Sequence, residues 1–213
     1  MSFNNNKSKH NSWSKFVQLL FILIAVGIGV SGINSTQKKL NDRSWAQHKL
    51  ESMTLREKIG QLFMVAAFSN KDKEHENEIS ELVSKYHIGG LIFFQGGPIR
   101  QAILNNEYQK VSKIPLFVAM DAEWGLAMRL DSTIKYPRQM TLGAIRDKHL
   151  IYEMGSQIAT QSQRIGMHIN FAPVVDINVN PLNPVIGTRS FGENKYEVTE
   201  RAYEYMKGMQ DQF

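Results

Sequence analysis

The sequence predicts an α/β fold, a parallel sheet curling toward a TIM-type (β/α)8 barrel, with about the first four βα units present. Three observations lead there. Short apolar segments alternate with segments whose apolar residues recur at helical spacing, the pattern of parallel strands joined by right-handed helical crossovers. No G-x-G-x-x-G follows the first apolar segment, so a dinucleotide-binding sheet is not indicated. The two most elaborate connections, Asp121 to Arg138 and Val174 to Glu193, each follow the carboxyl end of a strand, where a barrel carries its function.

The chain begins with a polar, basic stretch, Met1 to Lys15, followed by an almost unbroken apolar run, Val17 to Val30. A basic region ahead of an apolar run of about 14 residues describes an export signal, whereas a spanning helix takes about 20. Residues 1–32 are therefore expected to be a signal peptide or, if uncleaved, a signal anchor and the only contact with a membrane. The rest is expected to be exported, to a periplasmic or extracellular space. Residues 33–54 read as an exported linker and entry helix, and 55–213 as the barrel part.

Lys38 to Lys58 looks helical and charged, with Trp45, Leu50, Met53 and Leu55 as its apolar anchors; Thr54 can cap a short helix from Leu55. The first strand is expected over Ile59–Phe68, on the run Leu62 to Phe68. A helix follows from about Glu74 to Tyr86, with Ile79, Leu82, Val83 and Tyr86 on one face and acidic residues at its positive end. The second strand is Ile88–Phe94. Pro98 then suits a first helical position, with Ile99, Ile103 and Val111 expected to face inward. The third strand, Pro115–Met120, leads through the first long loop to a helix over Asp147–Arg164, striped by Leu150, Ile151, Met154 and Ile158. The fourth strand, Met167–Pro173, leads through the second long loop to a helix over Lys195–Gln210, with Val198, Ala202, Met206 and Met209 at helical spacing.

Composition narrows the function. The net charge of +5 includes Lys7, Lys9 and Lys15 in the leading segment, which leaves 22 basic against 20 acidic residues with mixed signs. Nucleic-acid binding wants a clustered basic face, so no nucleic-acid partner is expected. The absence of cysteine excludes disulfides, thiolate metal sites and a lipid-modified cysteine. His168 reads as a hydrogen-bonded core or rim residue with no second ligand suitably spaced, and neither metal nor cofactor is expected.

The chemistry-bearing residues sit in the two long loops. Asp121 ends the third strand, where a carboxylate can accept two hydroxyl hydrogen bonds, cap the loop, or pair with a nearby arginine. Arg129, between Met128 and Leu130, either points into the site or is a surface side chain. Trp124 either stacks on a sugar face or packs under the loop. Glu123 is a candidate for the site wall or its support. In the second loop Asp176 can organise the backbone or pair with Arg189. Arg189 lies between Gly187 and Gly192 and can donate a rigid fork of hydrogen bonds to hydroxyl or carbonyl oxygens. Glu193 suits an N-terminal helix charge.

Lys58-Ile59-Gly60-Gln61-Leu62, Ile88-Gly89-Gly90-Leu91-Ile92, Asp121-Ala122-Glu123 with Arg129, Asn170 to Asp176, and Ile186 to Glu193 together resemble glycoside hydrolase family 3, in motif order over roughly residues 50–213. The resemblance implies a barrel that hydrolyses β-linked sugars with retention. The stretch from Asn183 to Glu193 resembles the β-N-acetylhexosaminidase branch, which implies a carbohydrate partner, an N-acetylglucosaminide of cell-wall or glycan fragments. It also implies that Asp121 binds sugar hydroxyls and that Arg129 and Arg189 help hold the N-acetylglucosamine unit. Trp124 stands where the family usually has glycine. The family's Lys-His and Pro-Gly-His-Gly motifs, its acid/base histidine and its aspartate nucleophile are expected beyond Phe213, so the chain alone is expected to be catalytically incompetent. A β-glucosidase of the same family and a non-catalytic sugar-binding or membrane-anchored module are the alternatives.

Overall fold

The computed structural model describes residues 45–212. The expected signal segment, residues 1–32, lies outside the described residues, as does most of the expected linker. The chain divides into two units at Thr54. In the first, residues 45–52 form helix α1, along which Gln47 donates to Glu51 at 2.6 Å.

The second unit runs α2 (Leu55–Gly60), β1 (Met64–Ala67), α3 (Lys73–Tyr86), β2 (Gly90–Phe93), α4 (Pro98–Val111), β3 (Phe117–Met120), α5 (Gln139–Gly143), α6 (His149–Arg164), β4 (Ile169–Asn170) and α7 (Lys195–Gln210). The sheet is parallel in the order β1-β2-β3-β4. Each strand pairs with its sequence neighbour, without the reversal of winding that defines an open doubly wound sheet. That is the winding of a barrel, as the sequence predicts.

Side chains on one sheet face, including Leu91, Phe93, Val118 and Met120, pack against Ile79 and Val83 of α3 and Leu104 and Tyr108 of α4. A second cluster joins Ile151, Met154 and Ile158 of α6 to Val198, Ala202 and Tyr205 of α7, with Leu142 and Phe191. The register sets Ala66, Ile92, Ala119 and Ile169 side by side on the other face of the sheet, the interior side of a barrel. Phe117 belongs to that face as well and is 61% exposed.

Several expectations need correction. Ile59 and Gly60 end α2 and do not begin the strand. The apolar run of the first strand straddles a helix end and a turn, which periodicity alone does not separate, and Leu62 and Phe63 are exposed. Gly60 is required there, because a Cβ would stand 2.1 Å from the Tyr86 carbonyl oxygen. The fourth strand is shorter than Met167–Pro173, although the His168 and Phe171 amides extend its pairing by donating to Val118 and Met120 at 2.8 and 3.0 Å.

On α4 the expected inward residues Ile99, Ile103 and Val111 face solvent, and the buried ones are Gln101, Leu104, Asn105 and Tyr108. The reason is a polar contact. Asn105 donates to the carbonyls of Ile165 and Gly166, both at 3.2 Å, and so closes the end of α6 with an amide that no apolar residue could supply. Leu150 and Met206 are likewise exposed, and Tyr205 is the buried residue of α7 near that position.

Candidate active site

The loops at the carboxyl edge of the sheet are laced together before any site residue is reached. The Ser69 amide after β1 donates to Gln95 after β2 at 2.9 Å, and the Asp131 amide after β3 donates to Gly96 at 2.9 Å. Gly96 has φ +137°, and a Cβ there would lie 2.0 Å from the Ser69 hydroxyl oxygen. Only glycine fits.

Asp121 follows β3 directly. A tight turn at Gly125 (φ +83°) and the 3-10 turn Leu126–Met128 fold the loop back, so that Arg129 Nη2 donates to Asp121 Oδ2 at 2.7 Å and Nε to the Asp121 carbonyl at 3.3 Å. The guanidinium also lies over the ring of Phe94, 4.7 Å from its centroid, and Phe94 stacks on Phe68. Both members of the ion pair keep part of their surface open to solvent.

Glu123, two residues on, is only 3% exposed in its side chain. Its partner is Arg189, which closes a 3-10 turn (Gly187–Arg189) in the second long loop. Nε lies 3.1 and 3.0 Å from the two carboxylate oxygens, and Nη2 2.7 Å from Oε1. These hydrogen bonds raise the proton affinity of the Arg189 guanidinium above its ordinary range, with smaller contributions from the charges of Asp176 and Asp121. The main chain of Arg189 is held separately. Gln139, fully buried at the start of α5, donates to the Arg189 carbonyl and accepts from the Val174 amide at 2.9 Å once its amide is oriented to suit both neighbours. Gly143 at the end of α5 lets Phe191 approach so closely that no Cβ would fit.

Beneath Glu123 the backbone is clamped. Asn170 at the end of β4 accepts from the Ala122 amide at 3.0 Å, and the Tyr205 hydroxyl donates to the Ala122 carbonyl at 3.1 Å. Burial pushes the Tyr205 hydroxyl pKa upward, so it stays a neutral donor. Above, the Arg138 guanidinium lies 4.8 Å from the Trp124 ring centre and donates to Thr188 at 3.0 Å, bridging the two loops.

The structure therefore brings Asp121, Glu123, Trp124, Arg129 and Arg189 together at one edge of the sheet. The partner of Arg189 is Glu123, which the sequence marks only as a candidate for wall or support, and the pairing with Asp176 that the sequence leaves open is not found. Asp176 is exposed, and it organises the loop through its carbonyl, which accepts from Ser190 Oγ at 2.5 Å. Sequence reasoning missed Phe94, Arg138, Gln139 and Tyr205. Phe94 could have been suspected as an aromatic at a strand end; nothing local marks Gln139. Among the described residues no cluster of three or more His, Cys, Asp or Glu could hold a metal ion. Chemically the site offers one part-exposed carboxylate, Asp121, as acceptor and the open edges of two guanidinium groups, Arg129 and Arg189, as donors, a set suited to a polyhydroxylated ligand.

Residues 54–213 match the family described as Glycosyl hydrolase family 3 N terminal domain. A β-hexosaminidase A from Pseudoalteromonas piscicida is 36% identical over 146 residues, which is 62% of this chain and 24% of that protein. A β-N-acetylglucosaminidase/β-glucosidase from Cellulomonas fimi is 26% identical over 169 residues, 79% of this chain and 29% of that protein. The chain thus spans about a quarter of the length of these curated relatives. The structure of a glycoside hydrolase family 3 β-N-acetylglucosaminidase from Paenibacillus superposes with a TM-score of 0.68 at 34% identity, covering 76% of this chain and 32% of that one.

Proposed function

Because the chain belongs to glycosyl hydrolase family 3, we propose that it is the N-terminal part of a β-N-acetylhexosaminidase that releases terminal β-linked N-acetylglucosamine from cell-wall or glycan fragments. The observation that carries this reading is the paired constellation Asp121–Arg129 and Glu123–Arg189 at the carboxyl edge of the sheet. In it Asp121 accepts from sugar hydroxyls, Arg129 orients Asp121 and donates beside it, and Arg189 donates to the N-acetylglucosamine unit. The names of the relatives support that substrate class.

A retaining hydrolase needs a nucleophile and an acid/base on either side of the scissile bond. The two carboxylates at this site are each engaged by a guanidinium and are read as binding and positioning groups, and neither nucleophile nor acid/base is assigned to the described residues. Export is part of the proposal and is supported by the basic start and the apolar run Val17 to Val30.

The test compares the full-length gene product with its Asp121→Ala variant on p-nitrophenyl N-acetyl-β-glucosaminide. Loss of charged hydrogen bonds to sugar hydroxyls is expected to lower kcat/KM by about 100-fold. Equal turnover would remove Asp121 from the site. The purified 213-residue chain is expected to show no turnover. The β-glucosidase reading has one observation in its favour, the double name of the Cellulomonas fimi relative. Competition between aryl N-acetylglucosaminide and aryl glucoside decides between them.

A further inference from the structure

The two ion pairs differ in a way that separates their roles. In Asp121–Arg129 both side chains are part-exposed, at 29% and 19%. In Glu123–Arg189 the carboxylate is 3% exposed while the arginine keeps 35% of its side chain open. Glu123 is thus out of reach of any ligand, and Arg189 is not. The fork occupies Nε and Nη2; among the described residues no hydrogen bond uses Nη1. The remaining donors lie on the solvent side of the guanidinium, within the electrostatic reach of Asp121 and Asp176. Guanidinium hydrogen bonds are fixed in one plane, so whatever grips Nε and Nη2 also sets the direction of Nη1.

We propose that Glu123 is a positioning residue: by gripping one edge of the Arg189 guanidinium from inside the protein, it aims the opposite edge outward, at the substrate sugar. The inference rests on the reading of Arg189 as a substrate-binding residue and adds the group through which that binding is set. The supporting structure is consistent on every side. Ala122, immediately before Glu123, is clamped on both its amide and its carbonyl by Asn170 and Tyr205. The main chain of Arg189 is fixed by Gln139 and, one residue on, Ser190 is tied to Asp176. Carboxylate and guanidinium therefore meet with both backbones held, which is what a directed donor requires.

Glu123→Gln keeps the shape and one acceptor oxygen but removes the charge and the second acceptor. In the full-length gene product, KM for p-nitrophenyl N-acetyl-β-glucosaminide is expected to rise about tenfold with kcat changed far less, the size of a lost charged hydrogen bond. Arg189→Ala should raise KM at least as much, and adding Glu123→Gln to Arg189→Ala should do nothing more, because Glu123 acts only through Arg189. Additive effects in the double variant, or a fall in kcat with KM unchanged, would overturn the proposal and make Glu123 a scaffold residue. Arg189→Ala with an unchanged KM would overturn the reading of Arg189 itself. Arg189→Ala with a raised KM beside an unaffected Glu123→Gln would overturn only the positioning role. Should Glu123→Gln fail to fold, Arg189→Lys makes the same test, since lysine keeps the charge and loses the fork. A KM as high as that of Arg189→Ala supports directed presentation, and a wild-type KM overturns it.

Discussion

Tyr108 buries its ring and its hydroxyl, and the hydroxyl has no hydrogen-bond partner among the described residues. Burial, with Glu76 and Glu107 nearby, pushes its pKa up to about 12. The folded state therefore favours the neutral phenol. That contribution to stability is fully present below the ordinary tyrosine value near 10 and is lost as pH rises toward 12. Tyr108→Phe is expected to melt at the same or a higher temperature at pH 7, since an unsatisfied buried hydroxyl is removed, and to lose less stability than the parent between pH 10 and pH 12. Melts of the full-length product across that range check both. At this scale the sequence was partly legible. Asp121, Arg129 and Arg189 could be picked out because charged residues next to apolar strand ends or between glycines are conspicuous. The pairing of Glu123 with Arg189 could not, since the two stand 66 positions apart and nothing in the sequence says which of Asp121, Glu123 or Asp176 the arginine meets.

Among the elements, α4 shows where apolar periodicity fails as a guide to facing. Its isoleucines at 99 and 103 point to solvent, because the inward face is chosen by the Asn105 contact with the end of α6. Leu104→Ala is expected to destabilise by about 2–4 kcal/mol, whereas Ile103→Ser should stay within about 0.5 kcal/mol, in urea or thermal unfolding. The reverse order would mean that the helix is turned the other way. Helix α7 is the contrary case. Its bounds are those the sequence predicts, because Asn194 accepts from the Tyr196 amide as an ordinary N-cap and its helical run is long. The short helix α5 was not legible, being a single turn with neither cap nor stripe, yet it supplies Gln139 to the arginine loop.

For the barrel unit as a whole, the winding was legible and the finish of the sheet was not. Alternation of strand and helix predicts the order of the strands, and the structure has that order. Among the described residues β1 and β4 each pair on one side only, and Phe117 and Phe171 stand 61% and 49% exposed. Unpaired edges and an open apolar face template further association. The isolated 213-residue chain is expected to self-associate, which light scattering reads directly; a sharp monomer peak with a cooperative melt would contradict it. The Glu123–Arg189 contact has a consequence in time as well. Closing a chain segment of 66 residues is slow compared with the neighbouring strand–helix contacts, so this link should form after the folding barrier has been crossed. Loosening it should speed unfolding and leave the folding rate nearly untouched, so the carboxyl edge of the sheet would be the last part of the barrel to assemble and the first to come undone.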